Sequence, residues 1–429
     1  MTFATKDFID ARIGIIGLGY VGLPLAVAFS EVANVVGFDL DVSRITDLIN
    51  GIDRTLEVTE TELASVNRIE FTNNPDVLRK CNVYIITVPT PIDQFNRPDL
   101  RALVDASKLV GRILKSGDTV IYESTVYPGA TEEDCVPEIE SISGLKLNQD
   151  FFVGYSPERI NPGDRSKRLR DICKVTSGSN DETAKFVDGL YKKIIHAGTH
   201  PAPSIRVAEA ANVIENTQRD VNIALINELA IIFGHMDIDT SDVLSAAGSK
   251  WNFLPFRPGL VGGHCIGIDP FYLTHKAYSF GYRPEIVLAG RNINENMARY
   301  VASQFVKGML KKCSVLSGAR VLVLGITFKE DCPDIRNSKV FDLVKEMTDY
   351  GIKVDLHDPW ADEELVLRQY GLNINQTLKE KYYDGILIAV NHSEFTKLGI
   401  AELRKFGRET CYVYDLKSAF PKDDVDERL

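Results

Sequence analysis

The chain is short of the residues that would tie it to a special environment. Among 429 residues there are seven cysteines, five methionines and two tryptophans. The cysteines, at positions 81, 135, 173, 265, 313, 332 and 411, are odd in number, scattered and never spaced as CxxC. Neither a disulfide framework nor a cysteine-built zinc site is therefore expected. No apolar run approaches the roughly 20 residues that cross a bilayer, and the greasiest stretch, Ile13 to Phe29, carries four glycines and a proline. A secretory signal is not expected either, because Asp7 and Asp10 precede that stretch and no small-residue cleavage site follows it. The expectation is a cytoplasmic protein with no membrane attachment. Positive charge is also scarce: 49 Lys and Arg face 60 Asp and Glu, a net charge of −11. Such a surface repels polyanions and disfavours nucleic acid as a partner. A small anionic ligand remains open, since backbone amides and one or two cations can hold a phosphate locally.

What is present reads as a soluble globular α/β protein. Hydrophobic residues are 44% and charged residues 25%, which excludes disordered and fibrous chains, and the length suits two to four domains at about 100–200 residues each. Strand-like runs at Arg12–Ile16, Asn34–Phe38, Val83–Val88 and Thr119–Tyr122 are separated by helix-length segments, which predicts a parallel sheet. Phe151–Tyr155 and Lys174–Thr176 read as later strands, and Pro201-Ala202-Pro203 marks a domain edge. From Val207 to Phe233 there is neither Gly nor Pro, which predicts one long helix. Its apolar residues wrap most of the circumference, so burial between domains or subunits is expected. A second α/β block starts at Arg320–Gly325 and continues through Lys353–Leu356, Gly385–Ala389 and Cys411–Tyr414. The charged tail from Lys422 to Leu429 is expected to be mobile.

Gly17-Leu18-Gly19-Tyr20-Val21-Gly22 is a G-x-G-x-x-G set directly after a strand and before a helix-forming run. Gly17 permits the tight turn, Gly19 lets backbone approach a pyrophosphate, and Gly22 lets helix and strand pack closely. Asp39 ends the next strand, 22 residues after Gly17. A carboxylate there accepts from a ribose hydroxyl pair and repels a 2′-phosphate, which favours NAD over NADP. A bare glycine turn without a cofactor is the alternative.

The segment Lys250 to Pro270 is forced into a loop by its glycines and prolines. Gly262-Gly263-His264-Cys265, with Asp269 four residues on, would give an accessible thiol able to attack an aldehyde. On composition alone an inert core cysteine is the favoured reading. The His264–Cys265 pair invites a metal or a Cys–His dyad, but adjacent side chains in an extended loop point apart and no other such pair lies nearby, so no metal is expected.

GLGYVGLPLA near the start, STVYPG at 124–129, YSPERINPG at 155–163, ENTQRDVNIALINELA at 215–230, GGHCIGIDP at 262–270 and FKEDCPDIRNSK at 328–339 together resemble the UDP-glucose/GDP-mannose dehydrogenase family over nearly the whole chain. Within it the motifs are most similar to the UDP-N-acetylhexosamine 6-dehydrogenases of bacterial capsule, Vi-type and O-antigen synthesis. The resemblance implies two Rossmann-like parallel-sheet domains joined by a long central helix: 1–204 binding NAD, 205–314 carrying the cysteine loop and forming a homodimer, and 315–429 binding the UDP-sugar, with the active site between them. It implies oxidation of the sugar C6 alcohol to a carboxylate with two NAD, through a thiohemiacetal and a thioester on Cys265.

By the same resemblance Asp269 and Thr125 help position water, Glu158 is the base for thioester hydrolysis, and Asn216 hydrogen-bonds at the reacting carbon. Gly17, Gly19, Tyr20, Val21, Gly22, Asp39, Val88, Pro89, Thr90, Ser124, Thr125 and Arg336 fall to the cofactor. Glu158, Arg159, Asn216, Lys250, Asn252, Phe253, Gly262 and Lys329 fall to the substrate. Taken singly, Glu158 and Asp269 read as an ion pair or loop cap, and Lys329 and Arg336 read equally well as surface ion pairs. Arg165, Lys167, Arg168 and Arg170 read as a solvated face rather than a ligand site; Trp251, Phe253 and Phe256 could stack on a base or sugar, though aromatic loop residues more often simply pack.

One position departs from the family. Where a lysine stands one helical turn before the asparagine, this chain has Asn212. An amide donates a hydrogen bond but carries no charge, and losing a preorganised oxyanion donor costs about 2.7–4 kcal/mol, roughly 10²–10³ in turnover. The expectation is a slow or inactive enzyme that still binds sugar and cofactor, with Lys250 or Lys329 as substitute cations. The rival readings are a one-step hydroxyacid-type dehydrogenase, a nucleotide-sugar-binding homologue without catalysis, and a UDP-glucose or UDP-N-acetylmannosamine 6-dehydrogenase.

Overall fold

The computed structural model describes residues 11–160, 167–313 and 316–429, without the side chain of Cys313. The chain forms two compact units, residues 1–216 with 271–283, and residues 217–270 with 284–429.

The first unit is built on an eight-stranded sheet. Its strands are β1 (Arg12–Ile16), β2 (Asn34–Phe38), β3 (Ile69–Thr72), β4 (Val83–Ile86), β5 (Thr119–Tyr122), β6 (Phe152–Tyr155), β7 (Lys174–Gly178) and β8 (Thr199–Pro201). The spatial order is β3-β2-β1-β4-β5-β6-β7-β8. Pairing is parallel throughout except between β6 and β7. Helices cover a parallel sheet on both faces, so its central strands read as unbroken apolar runs; every residue of β4 and β5 is buried. The edge strands β3 and β8 escape that pattern. β3 carries Glu70 among half-buried neighbours, and β8 holds Pro201, tolerated because an edge strand loses no ladder bond.

The second unit holds a smaller parallel sheet of β9 (Arg320–Leu324), β10 (Lys353–His357), β11 (Tyr383–Ile388), β12 (Gly407–Asp415) and β13 (Glu427–Arg428), ordered β10-β9-β11-β12-β13. The expected mobile tail is corrected here: β13 pairs with β12, Leu429 is buried, and Arg428 grips Asp239 at 2.8 and 2.9 Å. Asp426 adds ion pairs to Lys312 and Arg404, while Asp423 and Asp424 stay exposed.

The long helix spans Ile205–His235, its first twelve residues in the first unit and the rest in the second. Val207, Ile214, Leu225 and Ile232 are exposed on it, while Glu209, Asn212, Asp220 and Asn227 are buried. Ile205, Ala208, Val213, Ala224, Ile226 and Ala230 are buried as well, so polar and apolar groups share the buried face and apolar groups also reach the surface, unlike a simple amphipathic helix.

In both sheets the strand order reverses beside the first strand, between β1 and β4 and between β9 and β11. Ligands of open α/β sheets bind at the carboxyl ends of the strands at such a point.

Candidate active site

In the first unit the glycine loop leaves β1 at this switch point. Gly17 has φ +96°, and a Cβ there would press on the backbone of Thr87. A Cβ on Gly22 would collide with the Gly17 carbonyl, whereas Gly19 faces open space. The loop thus presents bare backbone where a pyrophosphate would lie. Tyr20 and Val21 complete the turn, half-buried, before the helix Gly22–Ser30. Asp39 accepts from the Leu18 and Asp41 amides at 2.8 and 2.9 Å. It lines a cavity of about 730 Å³ together with Gly17, Leu40, Val88 and Pro89. These features fit an NAD. Arg44, which the sequence did not single out, supports the loop from below, donating to the Leu18 carbonyl at 2.9 Å and pairing with the buried Asp53.

Val88, Pro89 and Thr90 follow β4, and Ser124 and Thr125 follow β5. Two hydroxyls staple the segments together: Ser124 Oγ donates to the Val88 carbonyl at 2.6 Å and Thr90 Oγ1 to the Thr125 carbonyl at 2.7 Å. Thr125 Oγ1 in turn accepts from Asn212 Nδ2 at 3.1 Å. Three residues earlier on the same helix face, buried Glu209 accepts the amides of Gly129 and Thr131. Burial pushes its carboxyl up to about 7 against those hydrogen bonds. Asn216 sits half-buried one turn after Asn212.

Glu158 follows β6 and is both an ion pair and a loop cap. Its carboxylate accepts the amides of Arg159 and Ile160 at 2.7 and 2.6 Å and the ammonium of Lys174 at 2.8 Å. Lys174, first residue of β7, has a side chain only 2% exposed and bonds Glu123 at 2.7 Å as well. Tyr191 donates to the far oxygen of Glu123. Burial lifts Glu123 to about 7, with Lys174 opposing and Glu158 adding to the rise. Burial would lift Glu158 too, but Lys174 and the two amides hold it below the ordinary carboxylate range. Glu123 and Lys174 were not predicted; the available signal was a lysine inside a strand pattern, where burial demands a partner. Arg159 clasps Glu215 at 2.8 Å and donates to the Cys173 carbonyl. Of the basic cluster, Arg165 lies outside the described residues, while Arg168 and Arg170 pair with Glu62 and Glu31 at the surface.

In the second unit the cysteine loop meets the segment after β9. A Cβ on Gly262 would lie 2.6 Å from the Asn337 carbonyl, and Gly263, with φ +85°, stands against the Phe328 ring. Asn337 Nδ2 donates to the Gly263 carbonyl at 3.1 Å. The GGHC and FKEDCPDIRNSK motifs are thus packed together. Cys265 is half-buried, whereas Cys81, Cys135, Cys332 and Cys411 are buried. Its carbonyl accepts the amides of Ile268 and Asp269, and Asp269 is buried at the start of the helix Asp269–Ser279. His264 turns to Arg336, which donates to its Nδ1 at 3.2 Å. Burial, with Arg336 beside it, pushes His264 down to about 4, so the ring is neutral at pH 7.

Arg336 is also clamped on Asp334, the ion-pair alternative, and Lys329 is half-buried after β9. Lys250 and Asn252 are exposed, Phe253 half-buried, and Trp251 is 93% exposed, which overturns the expectation that this indole packs. The carboxyl end of the second sheet also carries an unpredicted buried network in which His392 bonds Asp358 at 3.0 Å and accepts the Asp331 amide at 3.0 Å. Asp331, His392 and Glu394 are the group of potential metal ligands among the described residues, but both ring nitrogens of His392 are already engaged.

Three family models match the chain in order: the NAD-binding domain of the UDP-glucose/GDP-mannose dehydrogenase family at residues 11–195, its central domain at 206–296 and its UDP-binding domain at 322–422. A UDP-N-acetyl-D-glucosamine 6-dehydrogenase of Pseudomonas aeruginosa is 60% identical over 98% of this chain and 100% of its own. A Salmonella typhi protein of the same name is 56% identical over 98% of this chain and 99% of its own. The solved UDP-D-ManNAc dehydrogenase of Pyrococcus horikoshii superposes with a TM-score of 0.87 at 28% identity, covering 96% of each chain. No helix among the described residues is long and apolar enough to cross a membrane. The chain therefore belongs to the UDP-glucose/GDP-mannose dehydrogenase family and is an NAD-dependent UDP-sugar dehydrogenase.

Proposed function

We propose that the chain oxidises the C6 hydroxyl of a UDP-N-acetylhexosamine, UDP-N-acetylglucosamine first among them, to the uronic acid. The observation that carries this reading is the end-to-end similarity to the two UDP-N-acetyl-D-glucosamine 6-dehydrogenases. Bound NAD, one molecule for each of two oxidations, supplies the hydride acceptor. The glycine loop and Asp39 hold it, with Val88 to Thr90, Ser124 and Thr125 beside them and Arg336 as a further cation. Lys329, Arg159, Lys250, Asn252, Phe253 and Gly262 serve the sugar nucleotide.

The Cys265 thiolate adds to the C6 aldehyde and carries the sugar as a thiohemiacetal, then as a thioester. Water, ordered by Thr125 and Asp269, loses a proton to Glu158 and attacks the acyl carbon. The C6–O bond forms, the C6–S bond breaks, and the thiolate is restored. Asn216 and Asn212 donate to the oxygen at C6. Without the family lysine, Asn212 leaves that oxyanion short of a cation, so turnover is slow while binding persists.

We assign three domains, 1–204, 205–314 and 315–429, a homodimer built on the central helices, and a cytoplasmic location. The exposed Val207, Ile214, Leu225 and Ile232 support the dimer. Counting NADH per sugar tests the chemistry: two per sugar supports it, and one returns the hydroxyacid-type reading. Mass spectrometry of the product from a panel of UDP-sugars identifies the hexose. Tight UDP-sugar binding without NADH, even after Asn212→Lys, would favour a binding homologue that has lost catalysis.

A further inference from the structure

A buried ammonium shared by two carboxylates is an unusual thing to keep in a sheet. Lys174 and Glu123 are sealed from solvent, Glu158 is nearly so, and together they hold one positive charge against two negative ones. Buried ion triads of this kind are seldom better for stability than packed apolar side chains. The triad therefore needs another reason to exist, and its end residue is the base named above.

We propose that Lys174, seated on Glu123, is a positioning residue that keeps Glu158 ionised and aimed for proton abstraction. The proposal rests on the reading of Glu158 as the base. Three elements converge to make the arrangement: Glu123 leaves β5, Glu158 leaves β6, and Lys174 opens β7. The two carboxylates are held unequally. Glu158 has two backbone amides as well as the ammonium, while Glu123 has the ammonium and the Tyr191 hydroxyl. A proton taken up by the triad therefore goes to Glu123 first, which leaves Glu158 ionised.

Among the described residues, the charged and titratable groups around Glu158 are Lys174 from β7, which bonds it directly, Glu123 from β5 and Tyr191 from the helix Asp181–Lys192 beyond that ammonium, and Arg159 of its own loop, turned to Glu215 of the long helix. Removing the cation and removing its second anion must therefore act in opposite directions. Lys174→Met strips Glu158 of its counter-charge, and Glu123→Gln hands it the whole of that charge.

The test is the pH dependence of acyl-enzyme breakdown, followed by intact-protein mass spectrometry after a single turnover with UDP-N-acetylglucosamine and NAD. Lys174→Met should raise the acid limb by about one to three pH units, Glu123→Gln should lower it, and Lys174→Arg should restore it. If Lys174→Met does not fold, Glu123→Gln and the charge-neutral Lys174→Met/Glu123→Gln pair decide. Limbs that stay in place, or move the same way in both single variants, overturn the proposal. Glu158→Gln separates the two layers: if breakdown is not slowed in it, Glu158 is not the base and both readings fall. If it is slowed while the Lys174 and Glu123 limbs stay put, only the positioning role falls.

Discussion

Under the proposed mechanism, placing a lysine at position 212 should raise kcat by about 10²–10³, the value of one preorganised oxyanion donor, or about 2.7–4 kcal/mol. Asn212 is buried, and its amide is committed to Thr125 Oγ1 at 3.1 Å. The substitution forfeits that hydrogen bond, at about 0.5–1.5 kcal/mol of folding stability, and places an ammonium in a site with little water. Glu209 lies three residues earlier on the same helix face, its carboxyl pushed up to about 7 by burial. It is the natural counter-ion, and a neighbouring cation would draw it into the ionised form. The gain should fall on kcat, with little change in KM for either ligand, because the charge answers an oxyanion that develops only in the transition state. The assay is steady-state NADH formation with UDP-N-acetylglucosamine. Asn212→Met serves as control, since it removes the hydrogen bond without adding charge and should show no gain. A kcat unchanged in Asn212→Lys, or raised equally in Asn212→Met, would refute the reasoning.

Three further outcomes are expected. Asp39→Asn keeps the shape but not the charge beneath the cofactor ribose, so calorimetry should show NAD binding weakened by about 1.5–3 kcal/mol, roughly 10- to 150-fold; an unchanged Kd would clear Asp39 of that role. Glu209 has a folded-state pKa raised to about 7 from 4.5, so the stability it contributes is complete below about pH 4.5 and is lost as pH climbs to 7. The Tm of the parent relative to Glu209→Gln should therefore fall across that window, and a constant gap would count against a buried carboxyl here. Arg291→Met leaves the buried Asp220, now bonded to Arg291 at 2.7 Å, without its cation, and should cost about 3–5 kcal/mol in denaturant unfolding; a loss under 1 kcal/mol would show that Asp220 finds another partner.

The sequence by itself determined what local chemistry can determine. The strands β1, β2 and β5 stand where their apolar runs placed them, because a strand buried on both faces has no freedom to be polar. The turn at Gly17 to Gly22 was legible because glycine at fixed offsets marks a tight strand-to-helix turn, and Gly17 takes up φ +96° there. The helix at Ile205–His235 was legible because neither Gly nor Pro interrupts it from Val207 to Phe233. Tertiary structure decided the rest. β3, β8 and β13 are edge strands whose patterns are weak, and β13 is held by Arg428 reaching back to Asp239, 189 residues earlier. Trp251 stands in solvent although its hydrophobicity argued for packing. Lys174, Glu123 and Glu158 become one group only when three strands bring together residues as much as 51 positions apart. A lysine inside a strand pattern announces only that a partner is needed; which partners meet it is decided by the fold and not by the neighbouring sequence.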